Sequence, residues 1–366
     1  MTQHILVLNA GSSSLKFALF DRESLGEAQR GQISGIGARP MLEFGGDRQE
    51  LPSGTAFEEG LKLVSNLLKD HGFPVEALAG IGHRIVHGGE RYVSPIIVSD
   101  EVLETLDGLR RFAPLHLPFG LGVLRMARIM LPGVAHVACF DTAFHATQPD
   151  IATRLPLPKE YRDKGYRRYG FHGLNYAHIV HALPEMTGKP LPHRLLAAHL
   201  GSGASMCAIL DGKSVATTMG FSTADGLVMG TRTGSIDPGV IVALLRDEHL
   251  TLDRLEDLLY RRSGLLGLSG ISADMRDLLA SKDKAAREAV DYYCYSAARH
   301  AASLIPAIGG LDAIVFTGGI GEHAEPIRRA IINHLGWLKV PAQQIHMVPA
   351  NEELTIAREV KALTPP

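Results

Sequence analysis

Residues Ile5–Asp21 read ILVLNAGSSSLKFALFD, and residues Leu195–Asp211 read LLAAHLGSGASMCAILD. Each stretch is an apolar run, a small-residue turn and a second apolar run closed by an aspartate. Leu6 and Leu196, Gly11 and Gly201, Ser12 and Ser202, Ala18 and Ala208, and Asp21 and Asp211 coincide. The pattern predicts two β-hairpins, each leading one of two similar halves. A tip made of glycine and serine exposes backbone N–H groups, whose dipoles meet anionic oxygens without side chains intervening. A single tip of this kind would read more readily as a plain exposed turn; the second copy reverses that preference. Two tips suggest a polyphosphate gripped between two related domains, and so a nucleotide-dependent phosphotransferase.

The rest of the chain is compatible with that reading. Its 366 residues suffice for two domains, each with its own core. A net charge of −2 without a basic block gives no electrostatic reason to expect nucleic acid or a membrane surface as partner. Cys139, Cys207 and Cys294 are far apart and lack CxxC spacing, which suits a reducing cytoplasm. No basic segment precedes the first apolar run, so no signal peptide is expected. The apolar stretch at 304–316 contains Pro306, Gly309, Gly310 and Asp312, which argues against a membrane span.

Between the hairpins, Ile33–Phe44 is β-like. Thr55 and Glu58 have capping-box spacing before a helix with Phe57, Leu61, Val64 and Leu68 on one face, stopping at Gly72. Ile81–Val86 reads as a strand, Ser99 as the cap of a helix to about Phe112, and Pro118 as the start of another. Val134–Phe140 is a buried strand that delivers Asp141. In the second half, helices are expected over Gly173–Met186, Pro238–Glu248, Leu252–Arg262, Ala285–Ile305 and Pro326–Leu335. A strand over Ala313–Thr317 enters Gly318-Gly319-Ile320-Gly321. This is α/β organisation, twice.

No GxxxxGK[ST] motif occurs, and GGIG is not GxGxxG, so neither a Walker loop nor a dinucleotide fingerprint explains the glycines. Asn9, Ser12, Ser13, Ser14 and Lys16 surround the first tip, where alternation places Lys16 near bound phosphates. Arg84, between an apolar run and an open Gly-Gly turn, suits bidentate capture of a carboxylate or phosphate; a surface ion pair is the alternative. His83 and His87 have the spacing of a zinc pair on a helix, but this segment reads as strand. Asp141, after a core strand, is placed to hold magnesium or to cap a helix. His172 in YGFHG and Arg232 in MGTRTG sit among small residues. They are either structural or donors to charge developing on a phosphoryl group.

These segments together resemble the acetate kinase family, within the superfamily of acetate and sugar kinases, heat-shock chaperones and actin. The resemblance rests on NAGSSSLKF from Asn9, GHRIVHGGE from Gly82, APLHLP from Ala113 and FDTAFH from Phe140. It continues in YGFHG from Tyr169, HLGSGAS from His199, MGTRTG from Met229, DMR from Asp274, FTGGIGE from Phe316 and NEELTIARE from Asn351. It implies an α/β fold of two similar domains of the actin-like ATPase (ribonuclease H-like) type with an active-site cleft between them. The expected domains are 1–145 with the tail from about 350 to 366, and 146–349. The implied reaction is reversible phosphoryl transfer from ATP to acetate, with ATP/ADP as co-substrate and magnesium or manganese as metal, in a cytoplasmic homodimer.

Carried over by position, the resemblance gives Asn9 and Glu352 to the metal and Lys16 to the ATP phosphates. Arg84 binds the substrate carboxylate. Val86, Leu115 and Phe171 form the pocket for its methyl group, with His116 beside it. Asp141, His172 and Arg232 are the implied catalytic residues. His199, Leu200, Gly201, Ser202 and Gly203 make up the nucleotide site with Asp274, Met275, Arg276, Gly319, Ile320, Gly321, Glu322 and His323. Acetate is already ionised at neutral pH, so the inventory of cations without an obvious base fits direct in-line transfer. Two departures stand out. Ser202 replaces a common asparagine, and Thr223 replaces a proline that helps line the methyl pocket in many members. One methylene is worth only ~1–3 kcal/mol of discrimination in such a pocket, so propionate or another short-chain carboxylate stays open as the acceptor. A nucleotide-dependent conformational binding module is the reading from another class.

Overall fold

A computed structural model describes residues 3–364. The chain divides into two compact units, one comprising Met1–Ala143 with Asn351–Pro366 and the other Phe144–Ala350.

The first unit is built on an eight-stranded sheet: β1 (His4–Ala10), β2 (Ser14–Asp21), β3 (Glu27–Ser34), β4 (Met41–Phe44), β5 (Asp47–Glu50), β6 (Leu78–Ile85), β7 (Ile96–Ile97) and β8 (His136–Phe140), in the order β5-β4-β3-β2-β1-β6-β8-β7. The hairpin β1–β2 pairs His4 with Asp21 and Ala10 with Leu15, while β6 runs parallel to β1 and β8 parallel to β6. The carboxyl ends of β1, β6 and β8 therefore lie side by side. The second unit has a five-stranded sheet: β9 (Arg194–Leu200), β10 (Ala204–Leu210), β11 (Lys213–Thr217), β12 (Ala313–Thr317) and β13 (Ile345–Met347), ordered β11-β10-β9-β12-β13. Here too the hairpin's first strand has a parallel neighbour, β12. The triplet β2-β1-β6 thus recurs as β10-β9-β12.

Burial explains why the strands sit where they do. Leu6, Leu8, Leu15, Phe17 and Leu19 pack against Leu61, Val64 and Leu68 of the helix Phe57–Asp70. In the other unit Leu195, Ala197, Cys207, Ile209 and Val315 close over Tyr176, Ile179 and Leu183 of the helix Gly173–Thr187. The C-terminal helix Glu352–Leu363 lies directly on β6. Its approach requires Gly82, where a Cβ would come within 2.3 Å of the Ile356 side chain.

Local details depart from expectation. The helix at 57 is capped one residue later than its spacing suggests: Glu59 accepts from the Ala56 N–H, while the Thr55 hydroxyl donates to the Pro52 carbonyl and Glu58 pairs with Lys62. The strand read from Ile33 begins at Glu27, and the polar strand β5, exposed at all four residues, carries no hydrophobic signal. Gly318–Gly321 is no loop but the first turn of the helix Gly318–His323.

Candidate active site

At the ends of β1, β6 and β8, five polar side chains of the first unit converge. Arg84, 22% exposed, forms two parallel hydrogen bonds to Asp141, Nε to Oδ1 at 2.9 Å and Nη2 to Oδ2 at 2.6 Å. Its Nη1 donates to Asn9 Oδ1 at 3.2 Å. Asn9 Nδ2 in turn donates to Glu353 Oε1 at 3.0 Å and to Glu352 Oε2 at 3.4 Å, and that same Glu352 oxygen lies 3.4 Å from Arg84 Nε. The C-terminal helix supplies both glutamates at its first turn.

The electrostatics follow from burial and pairing. Burial works against the Arg84 charge, but Asp141, Glu352 and Glu353 outweigh it and hold the guanidinium above its ordinary value. Burial pushes the Asp141 carboxyl up, Arg84 opposes that rise, and Glu352 adds to it. Asn9, Asp141 and Glu352 offer only oxygen donors, the set a hard divalent cation such as magnesium takes. Among the described residues no group of three His, Cys, Asp or Glu is arranged around a common point to hold a metal. The donors fit the ion by chemistry, with Arg84 standing among them.

Lys16 pairs with Asn9 across the hairpin, and its side chain is exposed. Val86, just past β6, and Leu115, before the helix Leu117–Met130, are half-buried. His83 and His87 do not face a common ligand. His83 is buried and shares a 2.9 Å hydrogen bond with His136, whereas His87 stacks on Phe112 and accepts the Gly89 N–H.

In the second unit the tip closes through Gly201 N–H to the Gly203 carbonyl at 3.0 Å, and Gly230 N–H reaches the Ser202 carbonyl at 3.3 Å. His172 caps the helix Gly173–Thr187 in a left-handed conformation, φ 59°. Its ring stacks on His199 at 4.1 Å and 13°. Arg232 Nη1 donates to the Thr223 carbonyl at 3.1 Å. A Cβ on Gly203 would lie 3.4 Å from His172 Nε2 and 3.6 Å from Arg232 Nη1, so both side chains' nitrogens border the space that this glycine leaves. Gly318, at φ +77°, closes on the same tip: its Cβ would lie 2.8 Å from the Leu200 carbonyl.

Over residues 4–356 the sequence matches the acetokinase family. The chain belongs to that family. It is 44% identical to an acetate kinase of Rhodopseudomonas palustris, with 98% of each chain covered, and 39% identical to one of Rickettsia felis, covering 98% of this chain and 99% of that one. Among solved structures it superposes on a propionate kinase from Francisella tularensis with a TM-score of 0.91 at 32% identity over 98% of each chain. For the Porphyromonas gingivalis acetate kinase the values are 0.89 and 30%, over 99% of this chain and 100% of that one. The fold is the α/β actin-like ATPase type of these neighbours.

Other expected site residues of this acetokinase-family chain have local partners. Asp274 caps the helix Met275–Ala280 and grips Arg276 at 2.5 Å, which lowers its carboxyl to about 2; Met275 is in the core. Glu322 accepts N–H bonds from Gly318 and Ala350, both at 2.9 Å. Gly319 and His323 are exposed, and Ile320 is half-buried. Phe171 is buried, with its carbonyl accepting from His145 Nε2 at 2.9 Å. Sequence reading missed Glu353, which makes the shorter bond to Asn9; the doubled acid of NEE was its only signal. It missed His145 as well, although FDTAFH contains it.

Proposed function

We propose that this chain is an acetate kinase, transferring the γ-phosphoryl group of ATP to acetate to give acetyl phosphate and ADP. The observation that carries the reading is the Arg84 guanidinium, fixed in plane by Asp141 where three strands end. Asp141 occupies the Nε and Nη2 edge, which orients the remaining Nη1 toward Asn9. With that edge taken, the outer N–H groups of Nη1 and Nη2 are what is left to meet a small carboxylate. Acetate arrives ionised, so Asp141 orients the acceptor site and need not act as a base. The difficulty of the reaction is repulsion between two anions, and the positive inventory answers it: Lys16 on the ATP phosphates, Arg84 on the acceptor, His172 and Arg232 on the transferring group. Asn9 and Glu352 hold magnesium, which when bound neutralises phosphate charge. The segments His199–Gly203, Asp274–Arg276 and Gly319–His323 take the nucleotide, and Val86, Leu115 and Phe171 take the methyl group.

The chain acts as a homodimer in the cytoplasm. Supporting the first point, the helix Pro238–Arg246 reads PGVIVALLR yet has no buried residue, and Val240 and Val242 are 44% and 56% exposed. An apolar surface of that kind suits a second copy. Supporting the second, the three cysteines are free thiols, all buried.

A second reading, propionate as the preferred acceptor, is favoured by Thr223 and by the likeness to a propionate kinase structure. Trapping acyl phosphate as the hydroxamate, with Mg-ATP and formate, acetate, propionate or butyrate, decides between them. Acetate is expected to give the highest kcat/KM. Product from none of the four would remove the enzyme reading in favour of a nucleotide-dependent binding module.

A further inference from the structure

Beneath the second tip, a chain of hydrogen bonds runs from the core to His172. Tyr176, four residues after His172 on the same helix, and Ser205, on β10, are both fully buried. Tyr176 Oη lies 2.5 Å from Ser205 Oγ, and Ser205 Oγ lies 2.8 Å from His172 Nδ1.

Counting protons fixes the direction of this chain. The Tyr176 phenol is fully buried and Ser205 Oγ is its only side-chain hydrogen-bond partner among the described residues, so its proton goes to the Ser205 oxygen, because a buried donor left unpaired is costly. Ser205 has one proton and, having accepted from Tyr176, gives it to His172 Nδ1. A nitrogen that accepts a hydrogen bond carries no proton. The neutral imidazole must then carry its proton on Nε2, the atom bordering the space at Gly203. Burial raises the Tyr176 phenol well above its ordinary value of 10, so the first donor in the series does not titrate away.

We propose that Tyr176 and Ser205 are positioning residues that lock His172 as its Nε2–H tautomer and so present a fixed donor to the transferring phosphoryl group. The tautomer matters because phosphoryl oxygens only accept hydrogen bonds; the opposite tautomer would turn a lone pair toward them. This rests on the reading of His172 as a phosphoryl-stabilising residue, whereas the tautomer itself rests on geometry alone.

Long-range 15N–1H NMR on histidine-labelled full-length protein tests the assignment, the His172 signals being those lost in His172→Ala. A pyridine-type shift at Nδ1 and a pyrrole-type shift at Nε2 are expected, with the two tautomers mixing in Ser205→Ala. A pyrrole-type Nδ1 in the unaltered protein would overturn the proposal. Steady-state kinetics supply the functional arm, with Tyr176→Phe as a variant that keeps the ring's packing. Ser205→Ala should lower kcat about 10- to 100-fold with KM for ATP changed less than about threefold, and Tyr176→Phe should do so more weakly. Neither change should lower kcat further in a His172→Ala background; an equal loss there would make both residues merely structural. Full activity of His172→Ala, with the expected spectrum, would overturn the catalytic reading of His172 and leave the tautomer assigned.

Discussion

Arg84 and Asp141, 57 residues apart in sequence, meet through two parallel hydrogen bonds of 2.9 and 2.6 Å, with the carboxylate almost wholly buried. A pair of this geometry fixes a plane as well as a charge, and neither partner tolerates a change that preserves only the charge or only the shape. Asp141→Asn keeps the shape and loses the anion, leaving Arg84 to be drawn toward Glu352. It should lower kcat about 100-fold or more. Arg84→Lys keeps the charge and loses the fork, and it should raise the KM for acetate about tenfold or more. Initial rates over an acetate series measure both; a kcat close to that of the unaltered protein in Asp141→Asn would remove the orienting role.

What the sequence discloses here depends on range. The hairpins were legible because alternating burial and a small-residue tip are local signals, and β1–β2 and β9–β10 form as their spacing demands. Arg84 and Asp141 could be nominated separately from their places after apolar strands, but their contact depends on β6 and β8 being parallel neighbours, which no local pattern states. Glu353 and His145 were missed for the same reason. Each works through a partner far along the chain, Asn9 in one case and the Phe171 carbonyl in the other. The capping error at Thr55 is of another kind: two acidic residues, Glu58 and Glu59, compete for one role, and Lys62 draws the first away.

Arg232 and Gly203 give paired predictions about the second tip. Arg232→Ala should lower kcat about 100-fold or more while the KM for acetate changes little, because a donor to developing charge acts mainly in the transition state. A larger change in KM than in kcat would assign Arg232 to ground-state binding. Gly203 has no positive φ, so Gly203→Ala should fold normally, as thermal unfolding would show. Its methyl group would nevertheless stand between His172 Nε2 and Arg232 Nη1. The KM for ATP should then rise about tenfold, through lost approach of the backbone to phosphate.

Buried histidines set how stability responds to acid. Burial holds His87 and His145 at about 4 and His83 well below 6.5, and lowers His136 too. Each is neutral when folded and takes up its proton more readily when unfolded. Their contribution is therefore complete above pH 6.5 and is lost as pH falls from 6.5 through the folded values. For His87 and His145 the full gap is worth about 3 kcal/mol each, and about 2 kcal/mol of it is lost by pH 5. Urea midpoints at pH 7.5, 6.5, 5.5 and 5 should fall steeply below 6.5, and His145→Gln should be less stable at pH 7.5 but less sensitive to acid. A midpoint unchanged between pH 7.5 and 5 would contradict the burial account.

The helix Pro238–Arg246 offers the prediction furthest from the chemistry. Its core-like sequence, with valines 44% and 56% exposed, is joined by Ile236 at 41% and by Leu252 at 74% exposure on the neighbouring helix Leu252–Arg261. Water contact with that much apolar side chain is unfavourable by about 25 cal/mol for every Å² exposed, so covering it with a second copy is a direct source of stability. Val242→Asp would place a charge in the covered surface without disturbing any core residue, because none of the helix is buried within its own chain. Light scattering during size-exclusion chromatography should give twice the mass of the 39.5 kDa chain for the unaltered protein and a single chain's mass for the variant at micromolar concentration. Circular dichroism should be the same for both. A monomer in both cases would leave this face without a partner copy, and a dimer in both would place the interface on another surface.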